Sequence, residues 1–322
     1  MPSIRAPLSR GAFLATTGTA LAGRAFAAGP PLTTLRVAGT PDPDVVALIW
    51  GQQSGIFAKL GLNVELQRLA SGSTVLAAVI GGSLDVGKSS PFGLITAYVK
   101  GVPLMIEAVA ATYSSEHPSV GFVVAQSSNL SSGRDFRGKT VAVPALGDLY
   151  TRVNAAWIDQ TGGDSKTVKF IELPTSATPA AIAAGRIDGA SMTEPILIEA
   201  VQADHCKIIG RPFDLIANSF GETWYFVTRE YAAKNADVLA RFRRGVTEAA
   251  RYVLAHRAEM VPLVAQYTGI APELVAQMTL LLGTGADPAM LQPVIDFGAR
   301  FKTIPAAFPA REMFDPAALP AS

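Results

Sequence analysis

Four short stretches concentrate residue types that can hold a small polar molecule: PDPD (41–44), KSSP (88–91), LGDLY (146–150) and TEP (193–195). Lys88 offers an anion a point charge. Ser89 and Ser90 offer hydroxyls and amides to a polar head group, and with Pro91 they equally suit the first turn of a helix, PFGLITAYVKG. Gly147, Asp148, Leu149 and Tyr150 fall at an expected helix N-terminus, whose free amides and dipole attract a carboxylate, sulfonate or phosphate. Asp148 is also placed to cap that helix. Asp42 and Asp44 lie in the first loop, where Asp44 suits a helix cap. Thr193 and Glu194 occupy the last loop, where Glu194 can accept a hydrogen bond from an amine or ring N–H. Glu222, Trp224 and Tyr225 sit in a later apolar stretch. Trp224 there either stacks on a planar ligand or belongs to a core strand.

Catalytic patterns are missing. The chain has no G-x-S-x-G elbow, no H-E-x-x-H, no CxxC pair and no phosphate loop of the Walker type. His117, His205 and His256 are scattered without metal-ligand spacing. The single cysteine, Cys206, sits in DHCKIIG and reads as a small buried residue at the start of a strand. The expectation is a binding protein without cofactor or metal, not an enzyme.

The elements that must position these loops alternate. A strand at 35–39 leads through the PDPD loop to a helix ending at Gly61. A strand at 63–69, a helix opened by Ser71 and a strand at 84–90 follow. The order then repeats: strand 138–144, helix from Tyr150, strand 167–173, helix from Pro179, strand 187–193. Such alternation predicts parallel βαβ units. The phrase AAVIGGSLDVG (77–87) returns as AAIAAGRIDGA (180–190), the same helix end, glycine stop and strand start. Asp85 and Asp188 are expected to bond amides in that turn. Two copies in matching strings predict two equivalent lobes. Ligands bind beyond the carboxyl ends of parallel strands, where all four loops fall.

Lobe 1 is expected over 28–115 plus 217–322 and lobe 2 over 116–216. Apolar VGFVVA (120–125) and WYFVT (224–228) read as strands in the segments that cross between them. After the second crossing the chain returns to lobe 1 and finishes with helices, over ADVLARFRRGVTEAARYVLAH and APELVAQMTLLL.

The first 27 residues read as an export signal, with Arg5 and Arg10, a short apolar stretch over 12–22, and an A-x-A site at 25–27. Cleavage near Ala27/Ala28 and a periplasmic mature chain are expected. That segment holds three arginines and no acid, so the remainder carries 24 basic against 26 acidic residues, a formal −2. Near-neutral charge without a basic run points away from nucleic acid. The chain is expected to be a monomer without stable membrane insertion.

The ordered set GIF-x-x-x-GLNVEL (55–66), SGST (71–74), AA-x-x-x-G-x-LDVG (77–87), GKTVAVP (138–144), AA-x-x-x-G-x-IDGA (180–190) and EP (194–195) resembles the periplasmic substrate-binding proteins of ABC importers. The similar group serves nitrate, sulfonates, taurine and the pyrimidine precursor of thiamine. The resemblance implies a type II binding-protein fold, an α/β structure of two parallel-sheet lobes joined by two crossings. It also implies a small-molecule ligand in the cleft, and a membrane permease with its ATPase as partners. The ligand expected first is sulfonate-, nitrate- or taurine-like. The alternatives are a thiamine pyrimidine precursor or an aromatic or heterocyclic acid, then a pyrimidine-synthase-like enzyme or a sensor subunit. The enzymes of this group carry a cysteine-rich run that is absent here. Asp148 and two bulky neighbours, Leu149 and Tyr150, depart from the small hydroxyl loop of the sulfonate binders.

Overall fold

The computed structural model describes residues 32–40, 42–144, 146 and 149–319. The expected export segment, and Gly147 and Asp148 of the third loop, lie outside the described residues. In chain order the strands are β1 (Thr33–Gly39), β2 (Leu62–Arg68), β3 (Val86–Ser89), β4 (Leu104–Ser114), β5 (Val120–Ala125), β6 (Thr140–Val143), β7 (Lys169–Glu172), β8 (Gly189–Thr193), β9 (Cys206–Gly210) and β10 (Ser219–Thr228). They form two five-stranded sheets, ordered β2-β1-β3-β10-β4 and β7-β6-β8-β5-β9.

The two orders are one plan. In each sheet the first strand of the repeat lies between the second and third, all parallel. Beside the third runs an antiparallel strand that follows a crossing: β5 enters from the first sheet, and β10 returns from the second. The lobes are therefore mixed sheets rather than purely parallel ones. A right-handed helical crossover supplies parallel neighbours, whereas a strand arriving from the other lobe enters from the opposite end and runs the other way.

The repeated aspartates do the same work in both sheets. The Asp85 amide donates to Arg36 O at 2.9 Å, and the Arg36 amide donates to Asp85 Oδ2 at 2.7 Å. Asp188 and Thr140 exchange the matching pair, both at 2.8 Å. An ion pair backs each clasp, Arg36–Asp85 at 2.6 Å and Lys139–Asp188 at 3.1 Å. The side chains were expected to serve their own turns; they instead clasp the neighbouring parallel strand.

Several expected elements differ. The helix expected after Asp44 is a 3-10 turn, Pro43–Val45, then helices Val46–Gln53 and Ile56–Lys59. Gly55, left-handed at φ 75°, divides the last two. The segment 271–282 is helical only over Pro272–Val275, and residues 281–285 run along the outer edge of β4. That segment covers the sheet edge, so its backbone bonds go to the strand instead of a helix. The long helix Ala236–Ala255 buries Leu239, Phe242, Val246, Ala249, Ala250 and Val253 at helical spacing; Val238 is only half-buried. Cys206 is buried as the first residue of β9, as expected, and burial pushes its thiol up.

One apolar cluster unites the crossings. Tyr113 at the end of β4 packs edge-on against Phe213, with centroids 5.4 Å apart, and Tyr150 and Phe220 pack on Phe213 at 5.2 and 5.8 Å. The Tyr113 hydroxyl donates to Asp214 at 2.7 Å. Leu149, Val153 and Ala156 of the second repeat belong to the same cluster as Leu94, in the helix after β3, and Val109 of β4.

Candidate functional site

At the carboxyl end of β1 the chain turns through Thr40 into the 3-10 turn that carries Asp44. Lys88 lies on the adjacent β3, all four of whose residues are buried. A lysine there must find anions, because desolvation disfavours its charge. It finds two: Asp44, in close contact, and Asp42 at 3.2 Å. Burial works to lower the Lys88 pKa, but the two carboxylates overcome it and hold the ammonium above its usual range. Burial likewise works to raise Asp42, and Lys88 with the Thr40 hydroxyl holds it below. Asp44 accepts a further bond from the Thr223 hydroxyl. Gly39 makes room for this arrangement, since a Cβ there would stand 3.1 Å from Lys88 Cε.

β10 brings in the next group. Its pairing with β4 slips between Gly221 and Thr223, so Glu222 is the extra residue of a β-bulge. Bulges re-aim side chains at strand ends. Among the described residues the half-buried Glu222 carboxyl has no hydrogen-bond partner, and it lies within electrostatic reach of Asp44, Asp42, Lys88 and Glu194. Burial, reinforced by Asp44 and Asp42, pushes it up to about 8. Tyr225 pairs across the ladder with Lys88. Its wholly buried hydroxyl has no hydrogen-bond partner among the described residues, and Asp44 and Tyr267 lie within its electrostatic reach. The Tyr267 hydroxyl is also buried and, among the described residues, unpartnered, and Arg68, at the end of β2, lies 4.7 Å over its ring.

The second sheet contributes Glu194, just past β8, before a cis peptide to Pro195. Its Oε2 accepts from the Thr279 amide at 2.5 Å, a bond from the second sheet to the segment that edges the first. Burial raises Glu194 against the opposing pull of that amide and of Arg257. Gln202 and Gln277 form a second such bond, at 2.5 Å.

The structure thus gathers Asp42, Asp44, Lys88 and Glu194 of the sequence-selected residues. Lys88, matched to an anion in the sequence, has its charge taken by two carboxylates. Ser89 is buried beside Gly72, with no side-chain bond among the described residues. Ser90 caps helix Pro91–Val99 by accepting from the Gly93 amide at 3.4 Å, and Pro91 is buried as its first residue. Leu149 is buried, Tyr150 packs on Phe213, and Thr193 pairs with Val120. Trp224 is a core residue: it is fully buried, its Nε1 donates to Gly221 O at 3.0 Å, and its ring meets Phe314 edge-on. It occupies the strand position that the alternative reading gave it. Sequence reasoning left Thr223, Tyr267, Arg68 and Thr279 out of the site. No local pattern marks them; they arrive by long-range packing. Among the described residues no group of acids, histidines and cysteine is arranged to hold a metal, and no helix is long and apolar enough to cross a membrane.

Two sheets of one topology, with polar strand ends facing across two crossings, define a type II periplasmic-binding-protein fold. The family is shown by sequence: residues 42–260 match the NMT1/THI5-like model, and the chain belongs to that family. The taurine-binding periplasmic protein of Escherichia coli (strain K12) is 26% identical over 242 residues, 74% of this chain and 71% of that protein. Solved structures share the fold. The periplasmic aliphatic sulphonate binding protein SsuA from Escherichia coli superposes with a TM-score of 0.73 at 18% identity, covering 90% of this chain and 94% of that one. The nitrate-binding protein NrtA from Synechocystis PCC 6803 gives 0.69 at 16%, covering 87% and 84%.

Proposed function

We propose that this chain is the substrate-binding component of an ABC importer. In this reading it is exported with cleavage near Ala27/Ala28, captures a small polar organic molecule between its lobes, and presents it to a membrane permease and its ATPase. The lobes run 28–115 plus 217–322 and 116–216, and no chemistry is performed on the ligand. Relatives named for taurine, sulfonates and nitrate support a ligand of that size and polarity. The observation that carries the reading is the convergence of Asp42, Lys88 and Glu222 from one sheet with Glu194 from the other. A molecule touching both sets stabilises the closed arrangement in proportion to its differential contacts.

Thermal unfolding with taurine, alkanesulfonates, nitrate, aromatic carboxylates and pyrimidines tests it. A ligand at about 100 times its Kd adds about 2.7 kcal/mol of stability, a clear rise in Tm. A chain whose Tm no member of the panel moves would not be an importer component for this ligand class.

A further inference from the structure

We propose that the group this site selects is a cation: the ligand carries an ammonium or amidinium group, held at the strand ends of the first sheet by Glu222 and Asp42. This rests on the binding reading above and narrows it.

The charge count favours it. Asp42 and Asp44 pair with Lys88, and Glu222 lies within electrostatic reach of all three and of Glu194, whose own cationic neighbour is Arg257. Lys88 is 1% exposed and faces its two aspartates, so it offers no open charge to an anion. The acids differ in what they have left to give. Asp44 is occupied by Lys88 and Thr223, and Glu194 by the Thr279 amide. Asp42 keeps about half of its side chain exposed, and Glu222 has no hydrogen-bond partner among the described residues.

The second observation is independent of the acids. Tyr225, 1% exposed, keeps its hydroxyl without a partner among the described residues, within reach of Asp44, and Tyr267 keeps a second one within its reach. Buried hydroxyls are ordinarily satisfied. Each can accept from an N–H. An ammonium brings three donors and a positive charge, which matches a carboxylate, a second carboxylate and a phenol oxygen. Hydrogen bonds between charged partners are about twice as strong as neutral ones. A bare anion in the same place meets like charges. Arg68, over the Tyr267 ring, stands free to meet an anionic far end of the same molecule.

Proton accounting supplies a readout. The groups facing Glu222 are Asp42 and Asp44 from the loop after β1, Lys88 from β3, Glu194 from the end of β8 and the Tyr113 hydroxyl at the end of β4. Their balance, with burial, puts Glu222 at about 8, so at pH 7 the carboxyl is largely protonated. Binding a cation makes it release that proton.

The test is calorimetric titration of the full chain with matched probes: taurine against ethanesulfonate, and 5-aminomethylpyrimidine against 5-methylpyrimidine, with nitrate as the plain anion. The aminated member of at least one pair is expected to bind at least tenfold tighter than its partner and to release protons at pH 7. Glu222→Gln should weaken it at least tenfold and abolish the release, while Glu222→Asp retains part of both. Asp42→Asn is the second variant, expected to weaken binding and, by removing one of the charges that hold Glu222 up, to reduce the proton release without abolishing it. Equal or tighter binding of the non-aminated members or nitrate would overturn the cation assignment and leave the binding role standing. Unchanged affinity in Glu222→Gln would overturn it too. No binding by any probe would remove the binding reading, and this one with it.

Discussion

At the scale of single residues, the Lys88 cluster ties the site to stability. Removing one partner of a buried ion pair leaves the other charge uncompensated, at about 3–5 kcal/mol. Lys88→Met should lose that much in urea denaturation. Asp42→Asn should cost about 1 kcal/mol or less, because that carboxylate is 54% exposed. The Lys88 pKa is raised, so its contribution is complete below the ordinary value of 10.5 and fades only as pH climbs through the raised one. The Lys88→Met penalty should therefore stay flat across neutral pH. Glu222 runs the other way as an acid whose folded pKa, about 8, lies above its ordinary 4.5. The folded protein holds a proton that the unfolded chain has lost, so wild type weakens as pH rises between those values. Glu222→Gln should melt with wild type in acid and above it at pH 8, a stabilisation obtained by giving up binding. Lys88, Asp42 and Asp44 were legible because charges at strand ends stand out in an apolar chain. Glu222 was half-legible, as an acid interrupting SFGETWYFVT. Its bulge was not, since a bulge depends on the partner strand.

At the scale of elements, the paired clasps explain why the chain repeats a phrase. Hydrogen bonds to charged groups contribute about 1.5–3 kcal/mol. Asp85→Ala should lose stability toward the upper end of that range, its carboxylate being 11% exposed. Asp188→Ala, at 33%, should fall at the lower end. The sites share no partner, so the double variant should add within about 0.5 kcal/mol in chemical denaturation. Alternation of strand and helix was readable throughout the two repeats, because glycine stops and caps punctuate it. β4 went unread. Its eleven residues, LMIEAVAATYS, are nearly all buried, and a strand buried on both faces loses the period-two signal. The one charge inside it, Glu107, is buried and paired with Arg243, which also reaches Asp315 at 3.3 Å. The helix expected over 271–282 failed for the opposite reason: tertiary pairing with β4 overrode a helical pattern.

At the scale of the whole molecule, two devices govern the lobes. The Tyr113–Phe213–Phe220 cluster packs the crossings, and Glu194 with Gln202 fastens the second sheet to residues 277–279. Phe213→Ala should cost about 3–5 kcal/mol, as a cavity opens where both lobes share their core. Glu194→Ala removes the carboxylate that accepts the Thr279 amide. It should raise the radius of gyration of the ligand-free protein in X-ray scattering, with little change in the circular dichroism of either sheet. An unchanged radius would mean that this bond does not hold the lobes together.

The interleaving of the sheets also sets a timetable for synthesis. β4 leaves the ribosome long before β10, the strand that pairs with it. Between them the whole second sheet is made, and β9, its last strand, completes it at Gly210. At roughly 5–20 residues per second, β4 waits on the order of ten seconds with a nearly uninterrupted apolar edge unpaired. The lobe read second is thus finished first, and the lobe read first spends that interval as a sticky half-sheet. A chaperone that binds the nascent chain meets it in that form, over the interval between residues 114 and 219.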